Sequence, residues 1–209
     1  MTDAPEQDGD SPQARHKARM EAVKAEQDAK TATAKEADRG LVLVYTGNGK
    51  GKSSSAFGVV ARALGWGQRV GIVQFIKGKW ITGERQFFQR FPDTVTWHTM
   101  GDGFTWDTQD LDQDRAAAEA AFAKGAAMMA SGEYDLVVLD EVNIALRYDY
   151  LRVETVLTGL EGRSARTSVI LTGRDAKPDL MAYADLVSEM GEVKHPFQAG
   201  IKAKRGIDF

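Results

Sequence analysis

The chain has no cysteine among its 209 residues, and this absence excludes several classes of function. Without thiols there is no disulfide, no Cys-ligated zinc, no iron–sulfur cluster and no cysteine nucleophile. Such a composition suits a reducing compartment, and we expect the protein in the cytoplasm.

Long apolar runs and a strong charge of one sign are also missing. No run approaches the roughly 18 apolar residues of a membrane span, and the first residues lack the apolar centre of a signal peptide. The formal net charge is −3, so no global basic field attracts nucleic acid. We therefore expect a soluble protein with neither a membrane nor a nucleic acid as its partner.

The remaining composition predicts one α/β domain. Hydrophobic residues make up 43% of the chain, enough to bury one core. Strand-like runs occur at 41–45, 70–75, 94–98, 136–139, 168–171 and 186–189, and helical runs at 53–64, 109–130, 153–160 and 177–183. Strands that alternate with helices predict a mostly parallel sheet with helices on both faces.

Residues 1–39 form an arm of different composition, so we place the domain at 40–209. The first 12 residues are polar and predict disorder. Residues 13–39 favour helix by propensity, yet their only larger apolar side chains are Met20 and Val23. Two interpretations remain: a solvated helix, or an arm that becomes ordered over a ligand.

The most informative segment joins the first strand to the first helix of the domain. It reads Thr46-Gly-Asn-Gly-Lys-Gly-Lys-Ser53, close to the phosphate-binding pattern G-x-x-x-x-G-K-[ST], with Thr46 where that pattern begins with glycine. In such a loop, backbone N–H groups, a helix N-terminus and the lysine point toward the phosphates. The hydroxyl of the serine or threonine binds Mg²⁺. A flexible Gly/Lys turn is the alternative. We expect nucleotide contacts from Thr46, Gly47, Asn48, Gly49, Lys50, Gly51, Lys52, Ser53 and Ser54.

Two acids, Asp140 and Glu141, follow the apolar run at 136–139. At the carboxyl end of a buried strand they can approach a Mg²⁺ ion held by the hydroxyl of Ser53. Acids also favour helix N-termini, so an ordinary strand exit is the alternative. Together with Lys52 and Ser53, the pair predicts a metal site.

Other strand exits contribute polar or aromatic groups. Gln74 ends the second strand and Arg174 follows the fifth, and we expect both to contact the nucleotide. The planar guanidinium of Arg174 suits a phosphate, with a position in solvent as the alternative. Phe104 and Trp106 flank a threonine in a glycine-rich loop. They either anchor that loop to the core or line a large ligand pocket.

These motifs resemble one family in the same order along the chain. The matching segments are 46–53, 73–78, 103–106, 137–141, 148–150, 172–174, 187–189 and 193–203. They are similar to the P-loop type of ATP:corrinoid adenosyltransferases, which act on cob(I)yrinic acid a,c-diamide in cobalamin synthesis. The threonine that begins the loop is the family's own pattern, whereas Ser53 stands where threonine is more usual.

The resemblance implies a P-loop NTPase-like, RecA-like fold and an unusual reaction. Such enzymes transfer the 5′-deoxyadenosyl group of ATP to the Co(I) of a corrinoid and release triphosphate, in cobalamin biosynthesis and corrinoid salvage. The reacting carbon lies at the opposite end of the triphosphate from the γ-phosphate, so ATP should lie reversed in the loop. Mg²⁺, a flavoprotein reductant and a homodimer are further implications.

By the same resemblance, the catalytic residues are Lys52, Glu141, Phe104 and Trp106. Mg²⁺ is held by Ser53, Glu141 and Asp140. Phe104 and Trp106 correspond to an aromatic pair under the corrin ring, and the arm corresponds to a lid over the corrinoid. Two rival functions remain: a P-loop kinase or transferase that uses the γ-phosphate, and a non-catalytic ATP-gated module.

Overall fold

The computed structural model describes residues 11–75, 82–99 and 110–208. It divides the chain into two compact units, Met1–Ala37 and Asp38–Phe209. Within the described ranges, no helix has the length and apolar character that crossing a membrane requires.

The first unit contains helix α1, Pro12–Thr33. It begins where the Ser11 hydroxyl accepts a hydrogen bond from the N–H of Ala14 at 3.1 Å, with proline at the first helical position. The helix ends at Thr33, earlier than the predicted end of helical propensity at residue 39. The hydroxyl of Thr33 bonds to the carbonyls of the preceding turn, which competes with helix continuation.

The second unit is built on a parallel sheet of six strands in the order β3-β2-β4-β5-β1-β6. The strands are β1 Val42–Thr46, β2 Val70–Gln74, β3 Val95–Thr99, β4 Leu136–Asp140, β5 Ser168–Thr172 and β6 Leu186–Glu189. The predicted α/β class and parallel sheet are therefore confirmed, with strand boundaries within about one residue of the prediction.

Helices cover both faces of this sheet. They are α2 Lys52–Gly65, α3 Gly83–Phe88, α4 Leu111–Ala130, α5 Val142–Arg147, α6 Val153–Glu161 and α7 Pro178–Tyr183, followed by a 3₁₀ turn at Pro196–Ala199. Along β4, Val137 and Leu139 join the core cluster under α4 to α7, whereas Leu136 and Val138 join the cluster under α2 and α3. Burial on both faces is why the central strand β4 is apolar from Leu136 to Leu139.

Two short helices and the 3₁₀ turn were not predicted from sequence. Helix α3 depends on a cap in which the Thr82 hydroxyl accepts the N–H of Arg85 at 3.4 Å. Helix α5 starts directly after Glu141, whose backbone is left-handed (φ 62°). Six-residue helices show too little periodicity to be recognised.

The strand order determines where the functional loops lie. Strand β5 separates β1 from β4, and all the strands run in the same direction. The carboxyl ends of β1, β2, β4 and β5 therefore form one edge, which is where parallel sheets bind ligands.

Candidate functional site

The glycine-rich loop runs from the end of β1 at Thr46 to the start of α2 at Lys52. Gly47 and Gly51 adopt positive φ angles of 95° and 110°, which side chains rarely tolerate. The Lys52 side chain is buried, and its Nζ donates to the carbonyl of Gly49 at 2.6 Å. Burial lowers the pKa of Lys52, and the nearby Glu141 opposes that shift.

The chain after β6 packs against this loop and leaves no room for side chains there. The N–H of Gly49 donates to the Met190 carbonyl at 2.7 Å, and the Met190 N–H donates to the Thr46 carbonyl at 2.9 Å. A Cβ atom on Gly47 would lie 2.5 Å from the Met190 carbonyl oxygen, and one on Gly49 would lie 2.5 Å from that of Gly191. The loop glycines are therefore required by close backbone approach.

The structure also explains why threonine stands at position 46, where the usual pattern begins with glycine. Its Oγ1 is buried and accepts a hydrogen bond from the N–H of Ala176 at 3.1 Å. This bond joins the start of the phosphate loop to the turn after β5, which a glycine could not do.

Asp140, at the end of β4, is the centre of a buried hydrogen-bond network. Its carboxylate accepts from the Thr172 hydroxyl at 2.8 Å and the Gln74 amide at 3.2 Å, and the Ser53 side chain lies close enough to influence its pKa. Burial raises the pKa of Asp140, while the neighbouring side chains of Ser53, Thr172 and Gln74 oppose the shift. The loop hydroxyl and the first acid are therefore neighbours, and their binding of Mg²⁺ stays a prediction.

Glu141 lies between acidic and basic neighbours. Its N–H donates to the Thr172 hydroxyl at 2.9 Å, which supports its left-handed backbone. Burial and then the charge of Asp140 raise the pKa of the Glu141 carboxyl to about 7, although Lys52 and Arg174 act in the opposite direction. The structure thus brings both acids, the loop lysine and Arg174 into one electrostatic cluster.

Arg174 is exposed and follows a tightly constrained glycine. Gly173 has φ 127°, and a Cβ there would lie 2.9 Å from the Cβ of Asn143 and 3.2 Å from Oε2 of Glu141. The fully buried Asn143 donates from its Nδ2 to the Gly173 carbonyl at 3.1 Å. Its Oδ1 has no hydrogen-bond partner among the described residues.

Asn143 and Met190 were not predicted from the sequence to be part of this edge. The only signal for Asn143 was an amide in the otherwise apolar stretch after Glu141, and Met190 acts through its backbone. Of the predicted loop residues, Asn48, Lys50 and Ser54 are exposed, whereas Ser53 and Gln74 are half-buried. Phe104 and Trp106 lie outside the described residues.

Comparison with known proteins identifies the family. The sequence profile described as "ATP:corrinoid adenosyltransferase BtuR/CobO/CobP" matches residues 38–209. The corrinoid adenosyltransferase of Pseudomonas aeruginosa is 53% identical over 209 residues, all of both chains. Corrinoid adenosyltransferase CobA of Salmonella typhimurium is 47% identical over 195 residues, 93% of this chain and 98% of its own.

A third relative has a similar degree of identity. The corrinoid adenosyltransferase of Escherichia coli K12 is 45% identical over 195 residues, again 93% of this chain and 98% of its own. The resemblance inferred from the motifs is therefore confirmed. With a profile match over most of its length and relatives of this identity, the chain belongs to the ATP:corrinoid adenosyltransferase family.

Proposed function

We propose that this chain transfers the 5′-deoxyadenosyl group of ATP to the Co(I) of a corrinoid, in cobalamin biosynthesis and corrinoid salvage. The Co(I) electron pair forms the cobalt–carbon bond, and the C5′–oxygen bond breaks so that triphosphate leaves with its electron pair. Family membership together with a complete phosphate loop carries the proposal.

The loop's part in this reaction is to bind and neutralise the leaving group. Backbone N–H groups between Gly47 and Lys52, apart from that of Gly49, which donates to Met190, favour a polyanion together with the N-terminus of the 14-residue helix α2. The Lys52 ammonium lies beside the Gly49 carbonyl, within the loop itself. We propose that the triphosphate lies reversed here, so that C5′ rather than the γ-phosphate faces the corrinoid.

The acids beside the loop fit a Mg²⁺ ion. Hydroxyl and carboxylate oxygens are the ligands that Mg²⁺ prefers, usually one or two from the protein with the rest from phosphate and water. Among the described residues no group of three or more His, Asp or Glu could hold a metal by itself, which suits an ion shared with the nucleotide. When bound, Mg²⁺ would neutralise charge on the triphosphate.

Within that site the residues have different parts. Ser53 would offer its hydroxyl and Glu141 its carboxylate. Asp140 already accepts bonds from Thr172 and Gln74 and lies near Ser53, so we propose that it orients Ser53 and any metal-bound water. Arg174, close enough to influence both Lys52 and Glu141, would contact the nucleotide.

No side-chain nucleophile or general base is required by this chemistry. Co(I) is itself a strong nucleophile, and no proton moves in the displacement. The protein's contribution is orientation and electrostatic stabilisation of the leaving group. Lys52, Ser53 and Glu141 suffice for those tasks.

The corrinoid side of the site is proposed on the resemblance alone. Phe104 and Trp106 would form an apolar wall under the corrin ring, and the arm carrying α1 would act as a lid. A flavoprotein would supply the electron that gives Co(I). We further propose a homodimer that works in the cytoplasm.

The phosphate product tests the reaction. The full chain is incubated anaerobically with MgATP and a chemically reduced corrinoid, and the phosphates are separated by anion exchange while absorbance follows the corrinoid. We expect one triphosphate for each adenosylated corrinoid, and none when the corrinoid is omitted. Stoichiometric ADP or AMP would overturn the proposal and favour γ-phosphate chemistry.

A further inference from the structure

The segment of residues 190–208, called here the distal segment, contacts the phosphate loop at two points. The first is the backbone bond between Met190 and Gly49 described above. The second is an ion pair in which Lys50 Nζ lies 2.5 Å from Oδ1 of Asp208. A loop lysine is therefore paired with a carboxylate from a distant part of the sequence.

The Asp208 carboxylate is fixed by its own turn. Its Oδ2 accepts the N–H of Lys204 at 2.7 Å, and the Asp208 N–H donates to the Lys204 carbonyl at 2.8 Å. Gly206, at φ 81°, permits the turn. The Asp208 side chain is only 15% exposed, compared with 49% for Lys50. The bond from Lys204 and then the ion pair lower the pKa of Asp208, so this carboxylate is charged at neutral pH.

Lys50 belongs to the same electrostatic site as Lys52. Its positive charge is one of those that lower the pKa of Lys52, together with that of Arg174. Asp208 therefore neutralises one of the cations that would otherwise attract triphosphate.

We propose that Asp208 is a positioning residue that competes with the phosphate chain for the Lys50 ammonium and thereby limits how tightly triphosphate is held. The proposal rests on the function proposed above for the loop. In the reaction, triphosphate is the product that must leave after C5′ has been transferred. Because the Asp208 carboxylate can pair again with the Lys50 ammonium, it favours release of the triphosphate.

Binding of inorganic triphosphate with Mg²⁺, measured by calorimetry at low salt, provides the test. Asp208→Asn keeps an oxygen for the Lys204 N–H but removes the charge, and we expect it to bind triphosphate about two- to fivefold more tightly, the range for a partly exposed ion pair. Asp208→Glu should remain close to wild type. The gain in Asp208→Asn should disappear at high salt, where the charge is screened.

A double-mutant cycle separates competition for Lys50 from a structural effect. If Asp208 acts through Lys50, Asp208→Asn should leave triphosphate affinity unchanged when Lys50 is already replaced by methionine. Weaker binding by Asp208→Asn, unchanged binding, or an equal gain with and without Lys50 would each overturn the inference.

The proposed phosphate-binding role of the loop has its own control in the same assay. Lys52→Met should bind triphosphate much more weakly, whatever Asp208 does. If Lys52→Met binds as wild type, the phosphate role of the loop is wrong and this inference fails with it. If Lys52→Met binds weakly but Asp208→Asn shows no gain, only the role of Asp208 is wrong.

Discussion

The Thr172 hydroxyl donates a hydrogen bond to the Asp140 carboxylate at 2.8 Å. The same hydroxyl accepts a hydrogen bond at 2.9 Å from the N–H of Glu141, the residue after Asp140. One side chain from β5 thus fixes both acids that follow β4. Because β5 lies between β4 and β1, Thr172 also lies between the acids and the strand that leads into the phosphate loop. The position of both acids of the proposed metal site therefore depends on a residue that need not touch the metal.

Replacing Thr172 by valine tests this dependence. Valine keeps the shape of the side chain but removes the hydrogen-bond donor to buried Asp140 and the acceptor for the N–H of Glu141. We therefore expect the free energy of unfolding to fall by about 1–3 kcal/mol. We also expect turnover to require a higher Mg²⁺ concentration. Thr172→Ser, which keeps the hydroxyl, is the matched control. Both properties can be followed by denaturant titration and by rates at graded Mg²⁺. A Thr172→Val enzyme with unchanged Mg²⁺ dependence would contradict the positioning role.

Lys52→Ala should lose most of its ATP affinity and turnover. Removing one charge contact from a leaving group raises the barrier by about 3 kcal/mol, roughly a hundredfold in rate. Steady-state kinetics with preformed Co(I) corrinoid measures the loss. Lys124→Ala, at an exposed position on α4, is the control and should behave as wild type. A Lys52→Ala enzyme within a few fold of that control would show that the leaving group is neutralised elsewhere.

The raised pKa of Glu141 predicts how the free energy of unfolding depends on pH in the metal-free protein. Its pKa rises from 4.5 to about 7 on folding, so between those values the folded state binds more protons than the unfolded state. The free energy of unfolding should therefore fall as pH rises from about 4.5 to 7. Denaturant titrations in EDTA should show a weaker fall for Glu141→Gln, with the remainder coming partly from Asp140, whose pKa is also raised. An identical slope in both proteins would contradict the pKa of Glu141.

Deleting residues 1–38 should leave a folded domain. The larger apolar side chains of α1, Met20 and Val23, are 48% and 51% exposed, so little buried apolar surface is lost with them. We expect nearly unchanged ATP affinity but weaker corrinoid binding if the arm is a lid. Thermal unfolding and separate titrations of the two substrates measure this. Loss of a cooperative transition in the truncated protein would make the arm structural instead.

Phe104→Ala and Trp106→Ala should slow the reaction from Co(II) more than the reaction from preformed Co(I). An apolar wall would exclude a lower axial ligand, leaving four-coordinate cobalt that is easier to reduce. Rates from both starting states, with spectroscopy of the four-coordinate fraction, measure the difference. If the aromatics only anchor their loop, both rates should fall equally, with a stability loss of about 3–5 kcal/mol.

The features that sequence predicted are those carried by local pattern. The six strands, helices α2, α4, α6 and α7 and the loop from Thr46 to Ser53 follow from apolar runs, turn glycines and a lysine at fixed spacing. The approach of Asp140 to the phosphate loop was also predicted, because this acid lies at the carboxyl end of β4 and the loop follows the carboxyl end of the parallel strand β1.

The features that sequence did not predict depend on which strands are neighbours. Nothing in the local pattern places β6 beside β1, so the contacts of Met190 and Asp208 with the loop could not be deduced. Asn143 became part of the site only because β5 adjoins β4, which brings the Gly173 carbonyl within reach. Such contacts require the strand order, which periodicity does not contain.

The place of β6 at the margin of the sheet has a thermodynamic consequence. Its only sheet neighbour among the described strands is β1, and marginal strands open locally at a lower free energy than the whole domain. Each opening would carry the Met190 carbonyl away from Gly49. The measured nucleotide affinity would then equal the intrinsic affinity multiplied by the fraction of molecules in which β6 is paired with β1. Substitutions that loosen β6 would weaken ATP binding without altering any group that touches ATP, and bound ATP would in turn slow amide exchange along β6.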